Sequence, residues 1–525
     1  MVAQHSLRSL SVPYLYSVLC QAGHEAYVIY FKATMGRAAP RDLQKFSDVV
    51  TDLDPDVVGF SVMSTLYKEA VDLSAIVREQ TRAKVLWGGI HPTLLPAECL
   101  AHADAVCVGE GDEAILDYVT AIESGGDTSA IPNIWVRRNG EIISNDLRPL
   151  VRDLDSLPFP DFRGENKIYI DHGRVLDRFE NERTMVGYPI MTSRGCLHSC
   201  TYCCNAVLRE AYRGKGPYVR RRSVDSVIEE LVLAKQRYVN LNHVAIVDDS
   251  FMYNEKWIEE FAEKWREHVG LFMFAYSHPN LVKEKMIETL HSCGLIYTVM
   301  GVQSGSERLR SEYFNRRTPN EQILRAANII HDAQVLLCID LIVRVPYETD
   351  EDRMATLDLL ATLPRPYQME VFCLQHFPQT ALTRRALAEG VITPDEVEHR
   401  RQTGFEVRFE SLRLTLTDEE LRWDALYFLA KKKWASKQFL MRLARSAFFA
   451  RHIRMITRIM RLLPIDNYNF HQVTINSPLQ KLYFGIYLLF RVRRHRRFAK
   501  VLRDVKYFFI VIRQKWTERR SQPAP

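Results

Sequence analysis

Residues 188–205 read YPIMTSRGCLHSCTYCCN, an apolar strand pattern that runs through a glycine into Cys196, Cys200 and Cys203. The spacing CxxxCxxC can seat three irons of a 4Fe-4S cluster and leaves the fourth iron without a protein ligand. An open iron is a place for reaction, whereas a cluster tied down by four thiolates usually only passes electrons. The same residues admit a zinc site with Cys203 or Cys204 as the fourth ligand. Otherwise Cys204 is a packed neighbour.

Downstream of that stretch the pattern repeats. NHVAIVDDSF (242–251), LFMFAYS (271–277), YTVMGVQSG (297–305), VLLCIDLIVRV (335–345) and QMEVFCLQHF (368–377) are strand-like, with helical patterns between them. Six βα-type units predict a partial or complete parallel barrel with its site at the carboxyl ends of the strands, where the cysteine loop lies. Upstream, AYVIYF (26–31), DPDVVGFSV (54–62), AKVLWGG (83–89) and ADAVCVGEG (103–111) alternate with helices. That alternation predicts a doubly wound parallel sheet, which binds ligands beyond its strand ends. Such a sheet ordinarily opens on its central strand, yet this chain opens on a helical pattern from Ser9. The expectation is a true start further upstream, or a poor substitute strand at Met1 to His5.

Residues 131–185 read as a connector with a hairpin about Asn139 and Gly140. From about Thr403 the pattern turns helical and basic. Lys431 to Pro525 hold 23 Lys and Arg against three Asp and Glu, so the net charge of +6 hides an acidic body and a basic tail. The segment 479–516 interleaves aromatics, aliphatics and cations as an interfacial membrane helix does. A nucleic-acid contact or a solvated helix face are the competing readings. The 525 residues, 47% hydrophobic, suit about three domains. Ten cysteines, three of them within eight residues, argue for metal in a reducing compartment rather than a disulfide scaffold. The six cysteines outside the loop region are expected in the core. The N-terminus lacks a signal-peptide pattern, and no stretch holds the roughly 18 apolar residues of a membrane span. The expected location is cytoplasmic, peripheral on the inner membrane face if the tail binds lipid.

DPDVVGFSV, VLWGGIHPTLLPAECL, VCVGEGDEAI, LDSLPFPDF, TSRGCLHSCTYC, YVRRRSVDSVIEEL and MGVQSGSERL follow one another as in a known family. On them the chain resembles the cobalamin-binding radical S-adenosylmethionine (SAM) enzymes. The resemblance implies an α/β chain: a Rossmann-like cobalamin-binding domain (1–130), the connector (131–185), a partial (β/α)6 TIM-type barrel (186–402) and a basic helical region (403–525). It also implies that Cys196, Cys200 and Cys203 hold a 4Fe-4S cluster whose open iron takes the amino and carboxylate groups of SAM. One electron then cleaves SAM to a 5′-deoxyadenosyl radical, chemistry that belongs to the cofactor. Tyr202 fills the usual aromatic place before the third cysteine.

Several positions depart from the family. Asp248 and Asp249 stand where many members have Gly-Gly-Glu, and are read either as partners of the SAM ammonium or as a helix N-cap. Gln303 replaces a glutamate and is read at the ribose. LIVRVPYET (341–349) lacks the usual glycines, with Arg344 and Tyr347 in the wall. No DxHxxG motif offers cobalt a histidine, and His91 does not restore one. Cobalamin is therefore expected on Ser61, Ser64, Thr65, Gly88, Gly89, His91, Thr93, Gly109, Glu110 and Gly111, whose small residues allow close approach. The alternative is a domain that kept the fold and lost the cofactor.

The leading reading is methylation of an unactivated carbon of a lipid or natural-product precursor, with a reductant such as flavodoxin or ferredoxin. Oxidative cyclisation or ring rearrangement is the second reading. A non-catalytic cobalamin or iron-sulfur binding protein is the third.

Overall fold

The computed structural model describes residues 1–4, 10–32, 38–162, 166–171, 173–176, 185–403 and 417–462. The chain divides into two units, Met1–Ala450 and Arg451–Pro525. In the second, the described residues form helix Ile453–Leu462. The aromatic and basic segment 479–516 lies outside the described residues.

The first sheet contains β1 (Val2–Gln4), β2 (Val28–Lys32), β3 (Val57–Ser61), β4 (Lys84–Gly88), β5 (Ala105–Cys107), β6 (Ile134–Arg138), β7 (Glu141–Ser144), β8 (Lys167–Asp171) and β9 (Arg174–Leu176). Their order is β7-β6-β5-β4-β3-β1-β2-β8-β9. The parallel strands β1 to β5 thus follow the order 2-1-3-4-5 of a flavodoxin-like sheet. The expectation of a missing central strand is corrected: β1 pairs with both β2 and β3, and the sheet is not split. A strand bonded on both flanks can be shorter than the usual 5–6 residues. Complete burial of Val2 contributes about 1.5–3 kcal/mol to holding it there.

Alternation along the strands feeds two cores. Ile29, Phe31, Val58 and Phe60 pack with Phe46 and Leu73 of helices Pro40–Leu53 and Tyr67–Gln80. Val28, Tyr30 and Leu86 pack with Tyr16 and Tyr118 of helices Ser11–Gln21 and Asp112–Glu123 on the other side. The segment expected as a connector extends this sheet at both edges. β6 and β7 form a hairpin in which Asn139 and Gly140 have φ of 52° and 84°, the left-handed pair of a type I′ turn. β8 runs parallel to β2.

The second sheet contains β10 (Gly187–Ile190), followed by a two-stranded ribbon of β11 (Ser193–Arg194) and β12 (Arg220–Arg221), then β13 (His243–Ile246), β14 (Phe272–Ser277), β15 (Leu295–Gln303), β16 (Leu336–Val343) and β17 (Tyr367–Cys373). Strands β10 and β13 to β17 are all parallel and lie in chain order, an open six-stranded sheet whose end strands do not pair. The helices between them are set by side-chain caps: Ser223 accepts from the Ser226 amide, Asn254 from the Trp257 amide, and Thr349 with Asp352 forms a capping box. Beyond the sheet the described residues of 417–462 are mostly helical, as expected. Helix Asp418–Ala430 buries Leu421, Trp423, Leu426 and Tyr427.

Candidate active site

The cysteine loop leaves the carboxyl end of β10, pairs briefly as β11 with β12, and enters helix Cys204–Ala211. Gly195 makes that passage possible. Its φ is 89°, and a Cβ there would lie 2.2 Å from the Tyr218 carbonyl oxygen. The far side of the loop is tied to the segment after β15: the Thr201 amide donates to Phe314 O (3.2 Å) and Asn315 Nδ2 to Ser199 O (3.0 Å).

All ten cysteines are free thiols. Cys20 is exposed rather than in the core, because it sits near the open end of its helix; Cys99, Cys107, Cys293, Cys338 and Cys373 are buried. Within the loop, the His198 amide donates to Cys196 Sγ at 3.5 Å and Arg316 Nη1 to Cys200 Sγ at 3.5 Å. Cys203 is the N-cap of helix Cys204–Ala211. A hydrogen bond from Cys204 draws its thiol down to about 7, while burial pushes the Cys196 thiol up. N–H groups and a guanidinium aimed at sulfur suit thiolates that share a negatively charged cluster. Among the described residues no three His, Cys, Asp or Glu side chains converge on a single metal-ion position. In the cofactor-free protein, Cys203 is expected to be the loop thiol alkylated fastest by iodoacetamide, its rate rising as pH passes through about 7. Peptide mass spectrometry reads the order; Cys196 reacting first at pH 7 contradicts it.

Asp248 is neither a free carboxylate nor a helix cap. It is 1% exposed and accepts from the Thr192 amide (2.6 Å), the Thr192 hydroxyl and the Ser193 hydroxyl (2.7 Å), while Asn254 caps the next helix. The pairing of β10 with β13 sets Thr192 beside it. Asp249 is the exposed one of the two. Its carbonyl lies 3.9 Å from Cys196 Sγ, and desolvation raises its own carboxyl. Gln303 ends β15 with φ 71° at a shift in register, its amide folded back over Gly301. Tyr202 packs edge-on to Phe314 at 5.0 Å in a cluster with Leu309 and Leu382.

Three residues missed from the sequence gather here. Arg316 is 9% exposed, donates to Gly301 O at 2.5 Å besides Cys200, and keeps a buried Nε without a partner. His198, inside the loop, stacks at 3.7 Å on His278, just past β14. Asn280 N–H donates to His278 Nδ1 (3.2 Å), so the neutral ring carries its proton on Nε2, which is buried and unpaired. Burial and Arg316 push the His278 pKa down to about 2. A histidine at a strand end, SHP at 277–279, was the only sequence signal. Asp340 and Glu370 lie side by side across β16 and β17, and burial raises both carboxyls.

The glycine-free segment keeps a glycine-like backbone. Arg344 has φ 58° and pairs through Nε with Glu420 at 2.6 Å. Tyr347 stacks on Tyr313 at 4.2 Å and donates to Glu389 at 2.8 Å. Both residues are thus fixed by partners from the C-terminal helices and the segment after β15.

At the first sheet, Ser61, Ser64, Thr65, Gly88, Gly89 and Thr93 do meet at the ends of β3 and β4. Thr93 Oγ1 donates to Gly89 O (2.8 Å) and accepts the Gly109 amide (2.9 Å). His91 is fully buried and bonded to Ser64 Oγ at 3.0 Å, a core histidine rather than an open one. At Gly109 a glycine is required by Tyr212, whose hydroxyl would lie 2.0 Å from a Cβ there. Tyr212 in turn accepts the Glu110 amide at 2.7 Å. Glu110 is committed to Arg220, and Gly111 packs by Cys107 and Leu15. The loop after β5 thus also makes a contact with the cysteine-loop region.

Residues 190–360 match the radical SAM superfamily and residues 2–119 the B12 binding domain. Over 355 residues the chain is 25% identical to an uncharacterised methyltransferase of Pyrococcus horikoshii, spanning 66% of this chain and 73% of that one. Over 316 residues it is 26% identical to an anaerobic magnesium-protoporphyrin IX monomethyl ester cyclase of Rubrivivax gelatinosus, spanning 58% and 53%. Among solved structures, the radical S-adenosylmethionine methyltransferase TsrM from Kitasatospora setae superposes with a TM-score of 0.63 at 16% identity, over 88% of this chain and 98% of that chain. The cobalamin-dependent S-adenosylmethionine radical enzyme OxsB superposes at 0.60 and 15%, over 96% and 78%. At such identities the likeness is one of fold.

Proposed function

The chain belongs to the cobalamin-binding radical SAM enzymes, its two matched domains being the pair that defines them, and from that premise we propose that it methylates an unactivated carbon of a small molecule. When bound, the cluster supplies the electron that cleaves SAM and cobalamin carries the methyl group. Cys196, Cys200 and Cys203 hold the cluster, in a loop already furnished with N–H donors to sulfur. Arg316 and His278, with buried N–H groups unpaired, suit the carboxylate of SAM, Asp249 its ammonium and Gln303 its ribose. Ser61, Ser64, Thr65 and the Gly88 to Thr93 loop form the cobalamin edge.

The observation that carries this reading is the contact between the two domains: Tyr212, capping the cysteine helix, meets the Glu110 amide at 2.7 Å. That contact sets the loop after β5 against the cysteine-loop region, which supports methyl transfer between groups held by the two domains, a step that needs them close. We also infer a lipid-like or natural-product substrate and a flavodoxin- or ferredoxin-type reductant. The exposed Trp434 and Phe439, in a run without acidic residues from Lys431 to Arg454, support a contact with anionic lipid over one with nucleic acid.

After anaerobic reconstitution, methyl transfer is expected to give 5′-deoxyadenosine and S-adenosylhomocysteine in equal amounts, quantified by liquid chromatography and mass spectrometry. The Rubrivivax relative, named a cyclase, favours rearrangement as the second reading. That chemistry yields 5′-deoxyadenosine alone, and such a result overturns the first.

A further inference from the structure

Two carboxylates of the B12-binding domain reach across to the ribbon from which the cysteine loop departs. Asp112 grips Arg194 with both oxygens, at 2.7 and 3.1 Å, and Glu110 Oε1 stands 3.5 Å from the same guanidinium. Glu110 also holds Arg220 in a fork, at 2.7 and 2.9 Å. Arg194 and Arg220 face each other across β11 and β12, and Arg194 lies two residues before Cys196. These pairs are not surface decoration, since the side chains of Asp112 and Arg220 are only 6% and 4% exposed. Desolvated pairs of this kind leave an uncompensated charge when one partner is removed.

The opposite flank of the same strand is held from inside the second sheet, where Asp248 binds Thr192 and Ser193. Consecutive residues 192, 193 and 194 are therefore clamped by carboxylates of different domains, and Gly195 completes a passage with no slack. We propose that Asp112 and Glu110 are positioning residues for the cluster: the B12-binding domain, acting through Arg194 and Arg220, sets where Cys196 stands. The chain's radical SAM domain does not complete its own cluster loop. Its catalytic meaning rests on the three cysteines being the cluster ligands, but the placement can be read without any cofactor.

The test uses the full chain. In the cofactor-free protein, Asp112→Asn is expected to speed amide exchange of residues 192–204 by about tenfold, with β3 and β4 unchanged. Arg194→Gln should do the same, and the double variant should be no faster than either single one, because both act through one pair. Arg194→Lys keeps the charge and loses the fork, so its effect falls between. After reconstitution, Asp112→Asn is expected to lower iron retention about tenfold, the scale of a lost outer partner, and to alter the reduced cluster's electron paramagnetic resonance signal, while cobalamin uptake persists. Asp127→Asn, at an exposed pair with Arg138, serves as the control. Unchanged exchange in 192–204, or exchange raised equally through β3 and β4, overturns the proposal. Faster exchange with no iron bound by the parent protein upholds the placement and sinks the cluster assignment instead.

Discussion

Replacing Cys200 by alanine is expected to abolish SAM cleavage, whereas replacing Cys204 by alanine leaves most of it. The two thiols are four residues apart on one loop, so loop disruption alone predicts similar damage from both. Their surroundings differ. Cys200 is 6% exposed and receives the Arg316 guanidinium at 3.5 Å, a cation placed directly beside its sulfur. The Cys204 thiol is engaged by Cys203, a hydrogen bond that with burial drives it far above its ordinary range, and it stands outside the CxxxCxxC spacing. Outer partners of a metal site already cost about 10–100-fold in affinity, and a direct ligand costs more. Cys200→Ala is thus expected to lose at least about a hundredfold in SAM cleavage together with its iron. Iron content per chain and 5′-deoxyadenosine formation measure both. Full iron in Cys200→Ala, or none in Cys204→Ala, shows that the wrong thiols have been assigned.

What the sequence discloses is local. The cysteine spacing, the glycine before it and the six strands of the second sheet are written in short windows, and each strand lies within a few residues of its expected place. The type I′ hairpin at Asn139 and Gly140 is legible for the same reason, since two residues specify it. The first strand was not legible because three residues carry no periodicity; β1 exists through its neighbours on both sides. The partners of the site were hidden by distance along the chain. Arg316 reaches Cys200 across 116 residues, and Tyr212 fills the space over Gly109 from 103 residues away. A glycine in a sequence signals room, and only the fold says what occupies it. Arg344 marks the converse case. Its left-handed φ is what a glycine tolerates freely, yet an ion pair with Glu420 holds an arginine there.

Asp248→Ala is expected to be the most destabilising single change in the second sheet, by about 3–5 kcal/mol, because it removes one partner of a buried charge and strands its donors. The Thr192 amide and the hydroxyls of Thr192 and Ser193 lose their acceptor. The Arg221 side chain, 7% exposed, loses its nearest carboxylate at 3.9 Å. Asp248→Asn should cost far less, about 1–2 kcal/mol. Its Oδ1 still accepts the Thr192 amide, both hydroxyls can turn to accept from Nδ2, and Arg221 keeps the Phe251 carbonyl and the ring of Tyr253 at 4.0 Å. The pH dependence separates charge from shape. Burial raises the Asp248 carboxyl above its unfolded value of 3.8 despite its hydrogen bonds and Arg221. A raised acid stabilises the fold fully below the unfolded pKa and loses that contribution as pH rises through the folded one. The advantage of the parent over Asp248→Asn should therefore widen as pH falls from neutrality towards 4, read from urea midpoints of the cofactor-free proteins. A gap that narrows instead means that the carboxylate is held as an anion by Arg221 and that desolvation is the lesser effect. Because Asp248 fixes residues 192 and 193 while Asp112 fixes 194, a loop loosened by Asp248→Ala should also retain less iron, and that loss should persist at a urea-free pH where the rest of the sheet remains folded.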